Sequence, residues 1–311
     1  MFAYHQDIYV PGADLWLDPR SPKPRAFISH AHGDHIRHHD WVLATPATLV
    51  LCRHRLGTVR GEPLEYGVTR QLGTCRVTLH PAGHILGSAQ IRLEEAGRRL
   101  VYTGDIALRP SSLVTPCEIV PSEELILECT YGRPHYRFPR REQVVEELAS
   151  FVRAVLAEGR VPVVLAYTLG RAQEVTHELG TRGFSIAVAD PIYRMHQVYE
   201  ELGVRLPAYE RLGTVSSRGK VVLMPPQWGA SSAVKRLHRP VRIAVTGWAI
   251  GGAEKVPYPV ERAFPISDHA DFEDLVTYVS VARPARVFTI HGFPDFARHL
   301  HERGVAATNL C

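Results

Sequence analysis

The sequence predicts an α/β protein in which a second α/β unit is inserted into a first. Short β-type runs broken by glycine and proline fill the first 130 residues, whereas helical patterns alternate with apolar strands from about residue 140. Near the C-terminus the pattern returns to helix, strand and helix, with the strand at 286–290. A chain of 311 residues is long enough for such an arrangement.

Five runs in the first part are rich in the branched and aromatic residues that favour strands. They are 26–29, 76–80, 89–95, 99–105 and 124–129. The segment "EEAGRRL" joins the third run to the fourth, and its glycine predicts a turn that makes the two a β-hairpin.

The inserted part begins with a helix predicted at 141–159, where apolar residues recur at helical spacing. A buried strand is predicted at 161–167 and a second helix at 170–179. The runs "FSIAVA", "KVVLM" and "RIAVTGW" are further strand candidates. Because these strands are almost continuously apolar, they predict a sheet of parallel character.

Composition limits the cellular location and the partners. The net charge is +4, from 36 basic and 32 acidic residues, which neither establishes nor excludes a polyanionic partner. The five cysteines are scattered and form no CxxC pair, so neither a disulfide framework nor a thiolate zinc site is expected. The sequence shows no signal peptide and no apolar run of membrane-spanning length. We therefore expect a cytoplasmic protein with no membrane association.

The stretch "FISHAHGDHIRHHD" at 27–40 contains five histidines. Its residues His30, His32, Asp34 and His35 form an H-x-H-x-D-H pattern directly after the strand "AFIS". Alternate side chains at the end of a strand point the same way, so His30 and His32 can converge on one ion. Asp34 and His35 can then converge on a neighbouring ion. Imidazole and carboxylate are ligands for zinc, manganese or iron.

Other candidate ligands lie where further strands end. His84 follows the second predicted strand, Asp105 ends "LVYTGD" and His291 ends "RVFTIHG". The ends of neighbouring strands are a usual place for a site built on a rigid sheet. His38 and His39 differ, because they continue into a predicted helix, and we interpret them as solvated or supporting groups.

At these motifs the sequence resembles the metallo-β-lactamase fold and, within it, the β-CASP nucleases. "SHAHGDH", "PAGHILGS" and "YTGD" match motifs of the fold, while "LECTYG", "SDHAD" and "TIHG" match the β-CASP motifs. The short insert makes the chain look most like bacterial DNA-ligase-associated exonucleases. The resemblance implies an αββα sandwich with an inserted β-CASP α/β domain. The metallo-β-lactamase domain would comprise 1–132 and 264–311, and the β-CASP domain 133–263.

The resemblance also implies a set of metal ligands. It predicts two divalent ions, zinc or manganese. One ion would be held by His30, His32 and His84 and the other by Asp34, His35 and His291, with Asp105 bridging. Asp18 in "LWLDP" matches the first motif of the fold and would orient a ligand histidine.

For catalysis, the resemblance implies hydrolysis of a phosphodiester bond by a water that two metal ions activate as hydroxide. Asp34 and Asp105 would take part as ligands. The leaving alkoxide needs a proton, and our hypothesis is that His269 supplies it as the general acid. Glu128 would orient the imidazole of His269 and favour its protonated form.

Substrate contacts are predicted in two places. Thr168 and Arg171 lie in "TLGRAQE", at a predicted helix N-terminus that suits a phosphate. An ordinary capped helix is the alternative there. Tyr131, Arg133 and Arg137 lie in "CTYGRPHYRFPRRE", where interleaved aromatic and basic residues suit a single strand. A solvated loop in an arginine-rich chain is the alternative for this segment.

The favoured function is a metal-dependent DNA exonuclease in DNA repair, with a functional link to a DNA ligase or helicase. An RNA-processing nuclease of the mRNA 3′-end-processing kind is the first alternative, because the resemblance associates a histidine at the position of His291 with RNA-acting members. A small-molecule hydrolase is disfavoured by the insert and by the Glu128 and His269 pair. A non-catalytic nucleic-acid-binding scaffold is disfavoured because every ligand position is filled.

Overall fold

The computed structural model describes residues 1–310, which fold into two compact units. The first unit comprises Met1–Tyr136 and the C-terminal segment that begins at His269. The second unit, Arg137–Asp268, is inserted into the first along the chain. The domain boundaries after residues 132 and 263 remain a sequence-based prediction. No helix in the described part of the chain combines the length and the apolar character needed to cross a membrane.

The N-terminal part of the first unit consists mainly of short strands. In chain order its elements are β1 (Ala3–His5), β2 (Asp7–Val10), β3 (Leu15–Leu17), β4 (Arg25–Phe27), β5 (Trp41–Ala44), α1 (Pro46–Leu56), β6 (Gly61–Pro63), β7 (Thr69–Leu72), β8 (Cys75–Pro81), β9 (Ala89–Glu95), β10 (Arg98–Tyr102) and β11 (Glu124–Cys129). The predicted hairpin is confirmed, since β9 and β10 pair antiparallel and Ala96 and Gly97 between them both have positive φ. A two-residue turn with this conformation matches the twist of its strands.

Helices and strands alternate in the inserted unit. Its elements are α2 (Arg141–Ala157), β12 (Val161–Leu165), α3 (Arg171–Thr181), β13 (Ile186–Val188), α4 (Asp190–Glu201), β14 (Tyr209–Arg211), β15 (Val221–Met224), α5 (Ser232–Lys235), β16 (Pro240–Val245) and β17 (Arg262–Phe264). The first unit then resumes with α6 (Phe272–Ala282), β18 (Arg286–Gly292), α7 (Asp295–His301) and β19 (Ala307–Asn309).

Two sheets build the first unit. Strands β1 to β6 follow one another in the first sheet, antiparallel from β1 to β3 and parallel from β3 to β6. The second sheet has the order β19-β18-β11-β10-β9-β8-β7. In it β18, β11 and β10 are parallel neighbours. The residues that follow these three strands therefore emerge at the same edge of the sheet.

The two sheets of the first unit pack face to face. Phe27 and Leu43 of the first sheet share an apolar core with Leu79 and Ile91 of the second. Helices α6 and α7 cover the other face of the second sheet, with Phe272 among the buried side chains. The result is the layered α/β sandwich that the resemblance implies.

The inserted unit contains a parallel sheet of the order β14-β13-β15-β12-β16-β17. Its neighbouring strands all run parallel. Apolar residues of α2 and α3 pack on one face, and those near α5 pack on the other. The parallel character predicted from the continuously apolar strands is confirmed, because both faces are covered.

The helix predicted after His35 is wrong. The chain makes a turn at His35 and then runs without helix through His38 and His39 until β5 begins. His38 is exposed, and Nδ1 of His39 accepts a hydrogen bond of 3.1 Å from the backbone N–H of Lys23. This anchor, together with the branched and aromatic residues that start β5, favours extended chain over helix.

His196 on α4 is completely buried in the inserted unit. Its Nδ1 lies 2.8 Å from the carbonyl oxygen of Ile192 and its Nε2 lies 2.8 Å from Oγ1 of Thr176. Because a carbonyl only accepts, Nδ1 carries the proton and Nε2 accepts from the threonine hydroxyl. Burial lowers the pKa of His196 to about 4, so the neutral ring is the form that packs.

We expect the inserted unit to lose stability as the pH falls from 6.5, the ordinary pKa of histidine, to about 4. The unfolded chain takes up a proton at His196 in this range and the folded chain does not, so acid favours unfolding by on the order of 3 kcal/mol. Urea unfolding at a series of pH values checks this, with His196→Gln as the comparison. A free-energy difference between the two proteins that does not change with pH would contradict it.

Candidate metal centre

The histidine-rich stretch leaves the first sheet directly after β4. The backbone N–H of Ile28 still donates to the carbonyl oxygen of Leu43 in β5, at 3.0 Å. The carbonyl oxygen of Ser29 accepts from the backbone N–H of Ala89 in β9, at 2.8 Å. The backbone that leads into the histidines is therefore hydrogen-bonded to one strand of each sheet, β5 and β9.

The first donor group consists of His30, His32, His84 and Asp105. One ligand atom from each lies within 4.8 Å of all the others. Nε2 of His84 is 3.0 Å from Nδ1 of His32, and Nε2 of His30 is 3.4 Å from Oδ2 of Asp105. The structure thus brings together the residues predicted for one ion and the predicted bridging carboxylate.

The second donor group consists of His35, Asp105 and His291, whose ligand atoms also lie within 4.8 Å of one another. Oδ2 of Asp105 is 3.4 Å from Nε2 of His35, and its Oδ1 is 3.9 Å from Nδ1 of His291. Asp105 therefore belongs to both donor groups, as a bridging ligand must. Asp34 lies at the rim, with its side chain 82% exposed and its Oδ2 3.8 Å from Nε2 of His35.

His291 reaches this position through a bulge in β18. Glu128 pairs with Ile290 and Cys129 with Gly292, so His291 is skipped in the pairing, and its φ is 54°. A bulge of this kind re-aims a side chain. A Cβ at Gly292 would lie 1.9 Å from the carbonyl oxygen of Cys129, so only glycine allows the two strands to approach.

The residues of both donor groups fit a divalent metal ion. Imidazole nitrogens and a carboxylate suit zinc or manganese. Nε2 of His30 is fully buried and has no hydrogen-bond partner among residues 1–310. A buried polar atom without a partner costs free energy. A cation held by the first donor group would satisfy this nitrogen.

Protonation of the metal-free cluster is uneven. Burial, together with the neighbouring His35, holds the pKa of His30 well below its ordinary value. Burial also disfavours charge on His35, but the carboxylates of Asp105 and Asp18 raise its pKa well above the usual range. Burial would raise the pKa of Asp105, whereas His35 and His30 hold it well below the usual range. A metal ion bound by His35 must therefore displace a proton.

Asp18 is buried and lies 2.8 Å from Nδ1 of His35, from which it accepts a hydrogen bond. Its φ is 40°, which is uncommon for a residue with a side chain. Such a conformation persists only where the surroundings require it. The bond to Nδ1 leaves Nε2 of His35 facing Asp105, at 3.4 Å, and the orienting role of Asp18 toward a metal ligand stays a prediction.

Glu128 and His269 form a pair beside the donor groups. Nδ1 of His269 lies 3.1 Å from Oε1 of Glu128, whose side chain is 1% exposed. The same carboxylate accepts hydrogen bonds from the backbone N–H of Ile106 and from the backbone N–H and hydroxyl of Thr130. Donor atoms of Glu128, His269 and Asp105 lie within 4.8 Å of one another. A histidine fixed by a buried acid therefore lies next to Asp105, the carboxylate that both donor groups share.

Sequence reasoning missed three residues that support the site. Ser29 and Tyr102 donate hydrogen bonds to Asp18 through their hydroxyl groups, and Thr130 donates to Glu128. Serine, threonine and tyrosine are common throughout the chain. The only signal was that each stands within three residues of a predicted site residue.

Two predicted substrate contacts lie in the first unit. Tyr131 is 3% exposed and packs against Tyr136, with 5.1 Å between ring centroids. A buried ring offers no face to a nucleobase, so we correct the prediction for Tyr131. Arg133 lies 4.0 Å over the ring of Phe293 and pairs with Asp295 at 3.0 Å, but its side chain is still 41% exposed. Its contact with substrate stays a prediction.

The other predicted substrate contacts lie in the inserted unit. Arg137 is exposed and Thr168 is half-buried, and both stay predictions. Arg171 is 2% exposed, and its guanidinium donates to the carbonyl oxygen of Ile266 at 2.7 Å and to the carboxylate of Asp268. The structure therefore corrects the prediction for Arg171, because this buried side chain ties α3 to the end of the unit and is not exposed to a substrate phosphate.

Comparison with known proteins gives one family match. Residues 261–309 match the family described as a Zn-dependent metallo-hydrolase RNA specificity domain. This segment contains His269 and His291.

Three curated relatives differ in how much of the chain they cover. A probable DNA ligase of Opitutus terrae is 41% identical over 98% of this chain, which spans 30% of that protein. The 5′ exonuclease Apollo of Gallus gallus is 28% identical over 90% of this chain and 62% of its own length. A ribonuclease of Thermus thermophilus is 32% identical over 58% of this chain and 48% of its own length. The chain therefore covers less than two thirds of each relative.

We expect Arg171→Ala to lower the free energy of unfolding by about 3–5 kcal/mol, because it removes one partner of a buried ion pair. Arg194→Ala is the matched control, since Arg194 also pairs with an aspartate of the inserted unit but is 71% exposed. That control should change the free energy by less than about 1 kcal/mol. Urea unfolding measures both. Equal effects of the two substitutions would show that Arg171 is not a buried structural residue.

Proposed function

We propose that this chain, which belongs to the β-CASP family of proteins with the metallo-β-lactamase fold, is a metal-dependent nuclease that digests DNA from an end in DNA repair. The observation that carries the proposal is the pairing of Glu128 with His269 beside the bridging carboxylate of Asp105. Cleavage of a phosphodiester bond releases an alkoxide that needs a proton. A histidine beside the metal cluster that is not needed as a ligand can provide it.

Two zinc or manganese ions are the proposed cofactors. The first would be held by His30, His32 and His84 and the second by Asp34, His35 and His291, with Asp105 between them. When bound, they supply the Lewis-acid charge that activates water and offsets the negative charge at phosphorus. Three donors of the first group, His30, His84 and Asp105, are buried, and His32 is half-buried.

His269 is the proposed proton donor to the leaving oxygen. Glu128 has four hydrogen-bond donors around its carboxylate, from Ile106, from Thr130 twice and from His269. A carboxylate with its acceptor positions filled in this way is fixed in orientation. Its bond to Nδ1 of His269 orients the ring and leaves Nε2 to carry the proton that is transferred.

The extent of similarity supports DNA over RNA as the substrate. Two relatives that align over at least 90% of this chain are named a probable DNA ligase and a 5′ exonuclease, whereas the ribonuclease aligns over 58%. We further propose a functional link to a DNA ligase, because nearly the whole chain is similar to part of a protein with that name. The proposed setting is the cytoplasm.

An RNA-processing nuclease is the second candidate. It is supported by the match of residues 261–309 to a family described as an RNA specificity domain. His291 lies in this segment and belongs to the second donor group. The chemistry of cleavage would be the same, and the two candidates differ only in the sugar that the site accepts.

We expect His269→Ala to retain full metal content but to lose turnover by about 10²–10⁴-fold on oligonucleotides, which is the usual contribution of a general acid. On a p-nitrophenyl phosphodiester the loss should be much smaller, because nitrophenolate leaves without a proton. Metal analysis and steady-state rates on the two substrates check this.

His299→Ala is the control for this substitution, because His299 also pairs with a glutamate in the first unit, Glu302, at 3.4 Å. It lies on α7, outside both donor groups. We expect this variant to keep its turnover. Loss of metal from His269→Ala would instead make His269 a ligand, and an equal loss on both substrates would rule out its role as the acid.

Matched DNA and RNA oligonucleotides, labelled at either end, separate the two candidate functions. We expect the protein with zinc or manganese to shorten the DNA progressively from one end and to act more slowly on the RNA. Faster digestion of RNA would favour the second candidate, because only RNA offers a 2′-hydroxyl. Internal cuts would contradict an exonuclease, and bound metal without any cleavage would indicate a scaffold.

A further inference from the structure

We propose that Ser29 connects the carboxylate of Asp18 to His30, so that one buried acid fixes the proton positions on a histidine of each donor group. The proposal rests on the metal sites of the proposed function. It goes beyond that function by naming Ser29 as a positioning residue and by giving Asp18 a second target besides His35.

Asp18 is surrounded by hydrogen-bond donors. Its Oδ1 accepts from the backbone N–H of Ser29 at 2.7 Å. Its Oδ2 accepts from the hydroxyl of Ser29, from Nδ1 of His35 at 2.8 Å and from the hydroxyl of Tyr102 at 2.9 Å. A carboxylate offers about four acceptor positions. Because a carboxylate only accepts, each of these neighbouring groups donates toward Asp18.

This constraint decides the role of the Ser29 hydroxyl. A hydroxyl has one proton, and here that proton points to Asp18. Oγ of Ser29 also lies 3.0 Å from Nδ1 of His30, so at that contact the oxygen accepts and Nδ1 donates. His30 therefore carries its proton on Nδ1. Its buried Nε2 keeps a lone pair free for a cation.

In the second donor group, Asp18 fixes the proton position of His35 by a direct hydrogen bond. Nδ1 of His35 donates directly to Asp18, so Nε2 of His35 is the nitrogen available to a metal. His30 and His35 thus both leave Nε2 available. His35 hydrogen-bonds the carboxylate of Asp18 directly, whereas His30 is linked to it through the hydroxyl of Ser29. The ring centroids of His30 and His35 are 4.1 Å apart, and Nε2 of each ring lies 3.4 Å from Oδ2 of Asp105.

The backbone around Ser29 is shaped for this contact. A Cβ on Gly104 would lie 2.5 Å from Cβ of Ser29 and 2.6 Å from its Oγ, and Gly104 has a φ of 55°. Only glycine leaves room for the serine there. Asp18 itself adopts a positive φ of 40°. Asp18 and Gly104, the two residues with positive φ, thus both contact Ser29, whose hydroxyl joins Asp18 to His30.

Titration of the metal-free protein with Zn²⁺ tests the proposal, by calorimetry on the wild type, Ser29→Ala and Asp18→Asn. We expect Ser29→Ala to weaken one zinc equivalent by about 10–100-fold and to leave the other unchanged, as for other groups that orient a ligand histidine. Asp18→Asn should weaken both, because an amide brings donors where only an acceptor fits. Thermal unfolding of each variant verifies that it is folded.

Two further measurements test whether the loss of zinc affinity in Ser29→Ala arises at the first donor group. In a His84→Ala background the first donor group is already broken, so Ser29→Ala should not weaken the remaining zinc further. In the wild type without metal, the ¹⁵N signals that His30→Ala removes should show a protonated Nδ1 and an unprotonated Nε2. The second measurement does not depend on whether Ser29→Ala folds.

Unchanged affinity for both zinc equivalents in Ser29→Ala, or a proton on Nε2 of His30, would overturn the proposal. Neither result bears on nuclease activity. Conversely, a wild type that cleaves no polynucleotide but shows the selective loss in Ser29→Ala would contradict the proposed function and support the connection through Ser29.

Discussion

The site depends on one buried carboxylate, that of Asp105, held among histidines. It lies within 4 Å of imidazole nitrogens from His30, His35, His84 and His291, which reach it from three separate parts of the chain. Because it is buried, its charge must be balanced locally, either by a protonated imidazole or by metal ions. The sheet order explains why this is feasible, since β10, β11 and β18 are parallel neighbours and release their following residues at one edge.

The same arrangement orients the metal ligands and the proposed acid. Asp18 and Glu128 are both buried, and each has four donors around its carboxylate. Each also accepts from Nδ1 of a histidine, His35 for Asp18 and His269 for Glu128. A fixed acid at Nδ1 leaves Nε2 available, and in the proposed function this nitrogen binds a cation on His35 and carries the proton on His269. The hydrogen-bond network thus divides the two tasks between otherwise identical side chains.

Much of this was predictable where short-range pattern decides the structure. The spacing of His30 and His32 after a strand and the apolar runs of the inserted unit are local signals, and the structure agrees with both. Tyr131 and Arg171 were misjudged because their burial depends on distant parts of the chain, which composition around them does not show. Ser29 was missed for the same reason, since its partner Asp18 is set by a contact between strands.

Crystals of the protein loaded with zinc or manganese, analysed by anomalous scattering at the metal edge, test the central claim most directly. We expect two anomalous peaks on either side of the Asp105 carboxylate, with Nε2 of His30 bound to one and Nε2 of His35 to the other. His269 should hold neither ion. A single ion away from Asp105, or an ion bound by His269 and Glu128, would contradict the account.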